Sequence, residues 1–107
     1  MGLDIRISRA KPIYCPHCGE LVTYKPIESI DSGGRQWYTF LEYAKYYKPY
    51  FIEQDMYGED MTLSKEQVSE LIKFIDRNPE LYMARDIYRM VETARVHDDA
   101  IIINADW

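Results

Sequence analysis

Two cysteines set two residues apart, in Cys15-Pro16-His17-Cys18-Gly19, are the residues of this chain whose types and spacing point most sharply at chemistry. Two thiolates at this separation can grip one soft metal ion. A tight turn brings both sulfurs to one side, its backbone amides aim at them, and a glycine after the second cysteine permits the positive φ the turn needs. The same spacing suits a dithiol that cycles to a disulfide, with Cys15 as nucleophile and Cys18 as resolving thiol. A third use is architectural, a turn that binds nothing. The chain has two histidines, His17 inside the motif and His97, which is followed by Asp98 and Asp99.

Structural zinc is nearly always four-coordinate, so one cysteine pair supplies half a site. The sequence leaves the other half open: His97 with Asp98 or Asp99, His17 itself, or the same two cysteines of a second chain at a homodimer axis. The expected metal ligands are therefore Cys15, Cys18 and His97, with Zn2+ as the cofactor. The commoner use of a His97-Asp98-Asp99 triplet is to close a helix, histidine favouring the C-terminal end of the dipole and the aspartates turning the chain. Asp55, Glu59 and Asp60 lack EF-hand spacing. Ser32-Gly33-Gly34-Arg35 matches neither the G-x-G-x-x-G nor the Walker pattern and reads as an ordinary loop. No G-x-S-x-G motif occurs. No catalytic constellation emerges, and a non-enzymatic role is the expectation.

Cys15-Pro16-His17-Cys18-Gly19 resembles the knuckle of zinc-ribbon and rubredoxin-like folds, where the pattern occurs twice and supplies four ligands; here it occurs once. The tetrapeptide is also similar to the active site of oxidising thioredoxin-like proteins, which implies a thiol–disulfide oxidoreductase. In that family the motif caps a helix, whereas here it is followed by Gly19, the β-forming Leu21-Val22-Thr23-Tyr24 and Pro26. The opening Met1-Gly2-Leu3-Asp4-Ile5, with the short length and single cysteine pair, resembles small bacteriophage and prophage proteins. That resemblance implies an accessory protein acting by binding.

The elements that must position the knuckle follow from periodicity. Leu3 to Arg9 alternates apolar and polar residues as a half-buried strand does, and Pro12 interrupts it. Glu20 to Lys25 predicts a second strand leaving the knuckle, and Ser29 to Gly34 a loop by composition. Trp37, Phe40, Leu41, Ala44 and Tyr47 share one face of a helix that begins near Arg35 and ends at Pro49. Residues 52–62 form an acidic connection. Ser64-Lys65-Glu66-Gln67 fits a capping box, opening a helix whose core face is Val68, Leu71, Ile72 and Ile75. Asn78-Pro79-Glu80 predicts a further helix start, with Leu81, Ala84, Ile87, Tyr88, Val91 and Ala94 as its stripe. Ala100 to Ile103 is a β-branched run suited to a buried strand pairing with the N-terminal one. The expected fold is α+β: a small antiparallel or mixed sheet of N-terminal strand, knuckle hairpin and C-terminal strand, with about three helices on one face. Residues 1–107 read as a single domain.

Composition bounds the partners. Residues 1–52 carry seven Lys/Arg against five Asp/Glu, and residues 53–107 six against thirteen, within an overall charge of −5. This acidic balance argues against direct nucleic-acid binding. No apolar run is long enough to span a membrane, no signal peptide is apparent at the start, and a free cysteine pair suits the cytoplasm. The chain has ten tyrosines, a residue that serves both core rims and interfaces. A partner surface would draw on Tyr43, Tyr46, Tyr50 and Tyr57. The functional expectation is a small protein-binding module, possible also as a homodimer.

Overall fold

Alternation along the first strand places Ile5 and Ile7 on one face and Asp4, Arg6 and Ser8 on the other, and the described helices pack against the first of these. The computed structural model describes residues 4–37, 39–40 and 60–106. It contains the strands β1 (Asp4–Tyr14), β2 (Leu21–Gly33), β3 (Asp60–Thr62) and β4 (Ala100–Asp106), with helices α1 (Lys65–Arg77) and α2 (Ala84–His97) between β3 and β4. All strand pairs are antiparallel, in the spatial order β2-β1-β4-β3. The fold is α+β, and the C-terminal strand pairs with the N-terminal one as its β-branched run predicts, Asp4 opposite Asp106 and Ala10 opposite Ala100.

One core holds these elements together. Ile5, Ile7, Ile101, Ile103 and Ala105 from the sheet meet Val68, Leu71 and Ile75 of α1 and Ile87, Met90 and Val91 of α2 in a single buried cluster. Trp37 is fully buried in it, its ring 5.1 Å from Phe74 and 6.3 Å from Phe40 between centroids. The indole N–H donates to Ser32 Oγ at 3.2 Å, and that hydroxyl donates to the Tyr82 carbonyl at 2.7 Å. Ser32 is the one buried polar residue recorded among those described, and both its bonds are met, as burial of a hydroxyl requires.

The first expected helix falls mostly outside the described residues; of its members, Trp37, Thr39 and Phe40 are helical. Two helices are therefore described in place of about three. The capping box of α1 forms as spelled: the Gln67 N–H donates to Ser64 Oγ at 3.2 Å, and the Ser64 N–H donates to Gln67 Oε1 at 2.9 Å.

Four local readings are corrected. Pro12 does not end β1, which runs on to Tyr14. Beyond Ala10 the strand has β2 on one side and no β4 on the other, so the missing N–H of Pro12 need cost no ladder bond. The expected loop at Ser29–Gly34 is strand through Gly33, because long-range pairing outweighs local composition. Ser29 opposes Ser8 with hydroxyls 2.8 Å apart, and Asp31 opposes Arg6 in a 2.9 Å ion pair. Residues 60–62 of the acidic connection form β3 against β4. Asn78 does not open a helix but closes α1: its side-chain amide donates to the Phe74 carbonyl at 2.8 Å and its N–H to the Ile75 carbonyl at 3.1 Å. The next helix starts only at Ala84, behind Met83 in the left-handed region (φ 62°).

Candidate functional site

β1 and β2 outrun their neighbours. β4 stops opposite Ala10, but β1 and β2 continue to pair as Lys11 with Lys25, Pro12 with Tyr24, Ile13 with Thr23 and Tyr14 with Leu21. The result is a two-stranded arm with the Cys15–Gly19 turn at its tip. The ladder slips twice, between Arg9 and Ala10 and between Ile13 and Tyr14, leaving Ile27 and Val22 as the extra residues of two bulges on β2. Both extra residues are exposed, Val22 at 65%. Ile13, Tyr14 (58%) and Leu21 are exposed as well, so the arm shows apolar side chains to solvent near its end.

The turn has the geometry its residues require. The Gly19 N–H donates to the Cys15 carbonyl at 2.9 Å, and the Cys15 N–H donates to the Glu20 carbonyl at 2.8 Å. Gly19 sits at φ +73°, where an L side chain is strained. Both thiols are free. The backbone N–H groups of Cys18 and His17, together with the Cys18 thiol, donate to the Cys15 sulfur and hold its thiol below the ordinary cysteine value. A thiolate with two amides aimed at it is suited to metal ligation, and also to nucleophilic attack.

The other expected ligand does not join the pair. His97 ends α2, exposed, three residues before β4 begins opposite Ala10. From Ala10 to Cys15 the arm extends five residues, roughly 16 Å at the rise of a strand. Among the described residues no three His, Cys, Asp or Glu side chains group to hold a metal. The structure brings Cys15 and Cys18 together and leaves His97 in its helix-closing role. Asp98 lies in the left-handed region (φ 58°), its N–H and that of Asp99 bonding back to the last turn of α2. Asp99 accepts from Arg9 Nη1 at 2.8 Å, and these side chains are 9% and 15% exposed.

Between the arm and the body lies an open cleft of about 600 Å³. Pro12, Tyr14 and Tyr24 form its arm side, and Lys65, Arg95 and Asp98, from the start of α1 and the end of α2, form the body side. The sequence reading missed this cleft, because it depends on how far β4 extends along β1. The tyrosines expected at a partner surface, Tyr43, Tyr46, Tyr50 and Tyr57, lie outside the described residues. Of the tyrosines described, Tyr14, Tyr82 (68%) and Tyr88 are exposed, Tyr24 is half-buried, and none belongs to the core. No helix among the described residues is long and apolar enough to cross a membrane. No family model, curated protein or solved structure matches the chain.

Proposed function

We propose that this chain is a protein-binding module that docks through its projecting hairpin arm, with the Cys15–Gly19 knuckle as the arm's structural tip. The observation that carries the reading is the exposure of Tyr14, Leu21 and Val22 on a two-stranded extension that leaves the core intact without them. Apolar and aromatic side chains grouped on a projecting element are characteristic of docking surfaces. The free thiols suit a cytoplasmic setting, and a binding role fits the accessory class implied by the resemblance of the opening residues to small phage proteins. Tyr43, Tyr46, Tyr50 and Tyr57 remain candidates to extend the surface.

The test is site-specific photo-cross-linking in the producing cell, with the reactive residue at Thr23 on the arm or at Glu66 on the body as control. Protein adducts at Thr23 that disappear in a Leu21→Lys/Val22→Lys variant are expected. Equal adducts at both positions, or adducts unaffected by the double variant, would overturn the reading.

A second reading, a thiol–disulfide oxidoreductase, is favoured by one observation, the depressed thiol of Cys15 beside Cys18. It requires Cys15 to be alkylated at neutral pH well ahead of Cys18. A titration of Cys15 at the ordinary value of about 8.5 would remove it.

A further inference from the structure

The knuckle is half of a tetrahedral thiolate site, and its position in the fold decides where the other half can come from. We infer that a second copy of this chain docks on the tip of the arm, the two copies sharing one Zn2+ through Cys15 and Cys18 of each. The inference rests on the reading of the arm as a docking element and names its occupant.

Three observations support it. The first is the donor set: two free thiols sit on one tight turn, closed by the Gly19 N–H on the Cys15 carbonyl and the Cys15 N–H on the Glu20 carbonyl, and form a pair of soft ligands. Zn2+ takes four such ligands at about 2.3 Å. The second is reach. Among the described residues no third ligand joins the pair, and the tip stands about 16 Å beyond the last paired residue of β4. His17, Cys18 and Gly19 lie past the last strand pair and are exposed, so the tip is open to a second tip.

The third is the character of the surface around the thiols. Tyr14, Leu21 and Val22 flank the turn and are exposed in the single chain; apposed tips would cover them. The charges agree with this arrangement. Lys11 and Lys25 face each other across the arm, where like charges are unfavourable in isolation. A tetrathiolate zinc centre carries two negative charges, and the four lysines of two apposed arms offset them. Residues 11–25 carry two lysines and one glutamate within a chain of net charge −5, so two apposed arms repel less than the overall charge of the chain implies. Assembly converts four thiols and one Zn2+ into four Zn–S bonds and releases the thiol protons, so it weakens as pH falls.

The experiment uses the full chain, reduced and freed of metal, titrated with Zn2+ during sedimentation analysis and with Co2+ in the visible and near-ultraviolet. The expected result is one metal per two chains, a doubling of mass that follows the metal and reverses with chelator, and the strong absorption of tetrahedral thiolate-bound Co2+. Cys18→Ser should remain monomeric at every Zn2+ concentration while keeping its far-ultraviolet dichroism. If that variant fails to fold, reversal of the wild-type dimer by chelator decides the matter instead. One metal per monomer, no binding at tens of micromolar metal, or a dimer indifferent to metal would each overturn the proposal. The cross-linking at Thr23, repeated with chelator present, keeps the two readings apart: partner adducts that survive there would sustain the docking arm even if the zinc bridge fails.

Discussion

At the scale of single residues, Cys15 gives a pH dependence whose sign is set by its surroundings. Its thiol is held below the ordinary value by amides and a neighbouring thiol that prefer the thiolate. A group whose folded pKa is depressed stabilises the fold above its unfolded value and loses that contribution as pH falls through the folded one. Stability of the metal-free protein should therefore rise between the depressed value and the ordinary value of about 8.5, and Cys15→Ser should remove that rise in denaturation curves at pH 6 and 9.5. Ser32 gives a second expectation. Truncation to Ala strips the buried Trp37 N–H of its acceptor and the Tyr82 carbonyl of its donor. A cost of about 1–3 kcal/mol in urea denaturation is expected. The knuckle's turn was legible residue by residue, since a cysteine pair followed by glycine states its own geometry. The bonds of Ser32 were not, because a serine in a polar Asp-Ser-Gly-Gly stretch looks like loop until Trp37 is folded against it.

At the scale of elements, local spelling succeeded where the signal and its partner lie within one turn. The Ser64–Gln67 capping box is an example, and Ser64→Ala should cost about 1 kcal/mol of stability by thermal or chemical denaturation. Gly19→Ala isolates the backbone preference of the turn. No atom lies within 4 Å of the added methyl, so the cost of about 1–2 kcal/mol arises from the left-handed φ alone. Spelling failed where one signature serves two ends: Asn78-Pro79 stops α1 as readily as it would begin another helix, and its side chain was claimed by the Phe74 carbonyl. It failed again in β2, where Pro26 and the Ser29–Gly34 composition advertise a break. Pro26 is tolerated because β2 is an edge strand, and it sits opposite Ala10 beside a bulge.

At the scale of the whole molecule, the division between body and arm predicts that surface and stability can be changed separately. Leu21→Lys/Val22→Lys alters residues outside the buried cluster, so its unfolding free energy should stay within about 0.5 kcal/mol of wild type while cross-linking at the arm is lost. Phe74→Ala, within the cluster beside Trp37 and Phe40, should cost about 3–5 kcal/mol. The α+β layering was readable because each element carried its own apolar period. The projection of the arm was not, because it is a difference between strand lengths that only pairing reveals. The place of β4 also bears on synthesis. This strand lies between β1 and β3 and contributes Ile101, Ile103 and Ala105, all fully buried, yet it is made after both of the strands it joins. On the ribosome β1 must wait for a neighbour almost a hundred residues downstream. Until it arrives, the hairpin of β1 and β2 and the helices lack the strand that joins them to β3, and the sheet stays open along that seam.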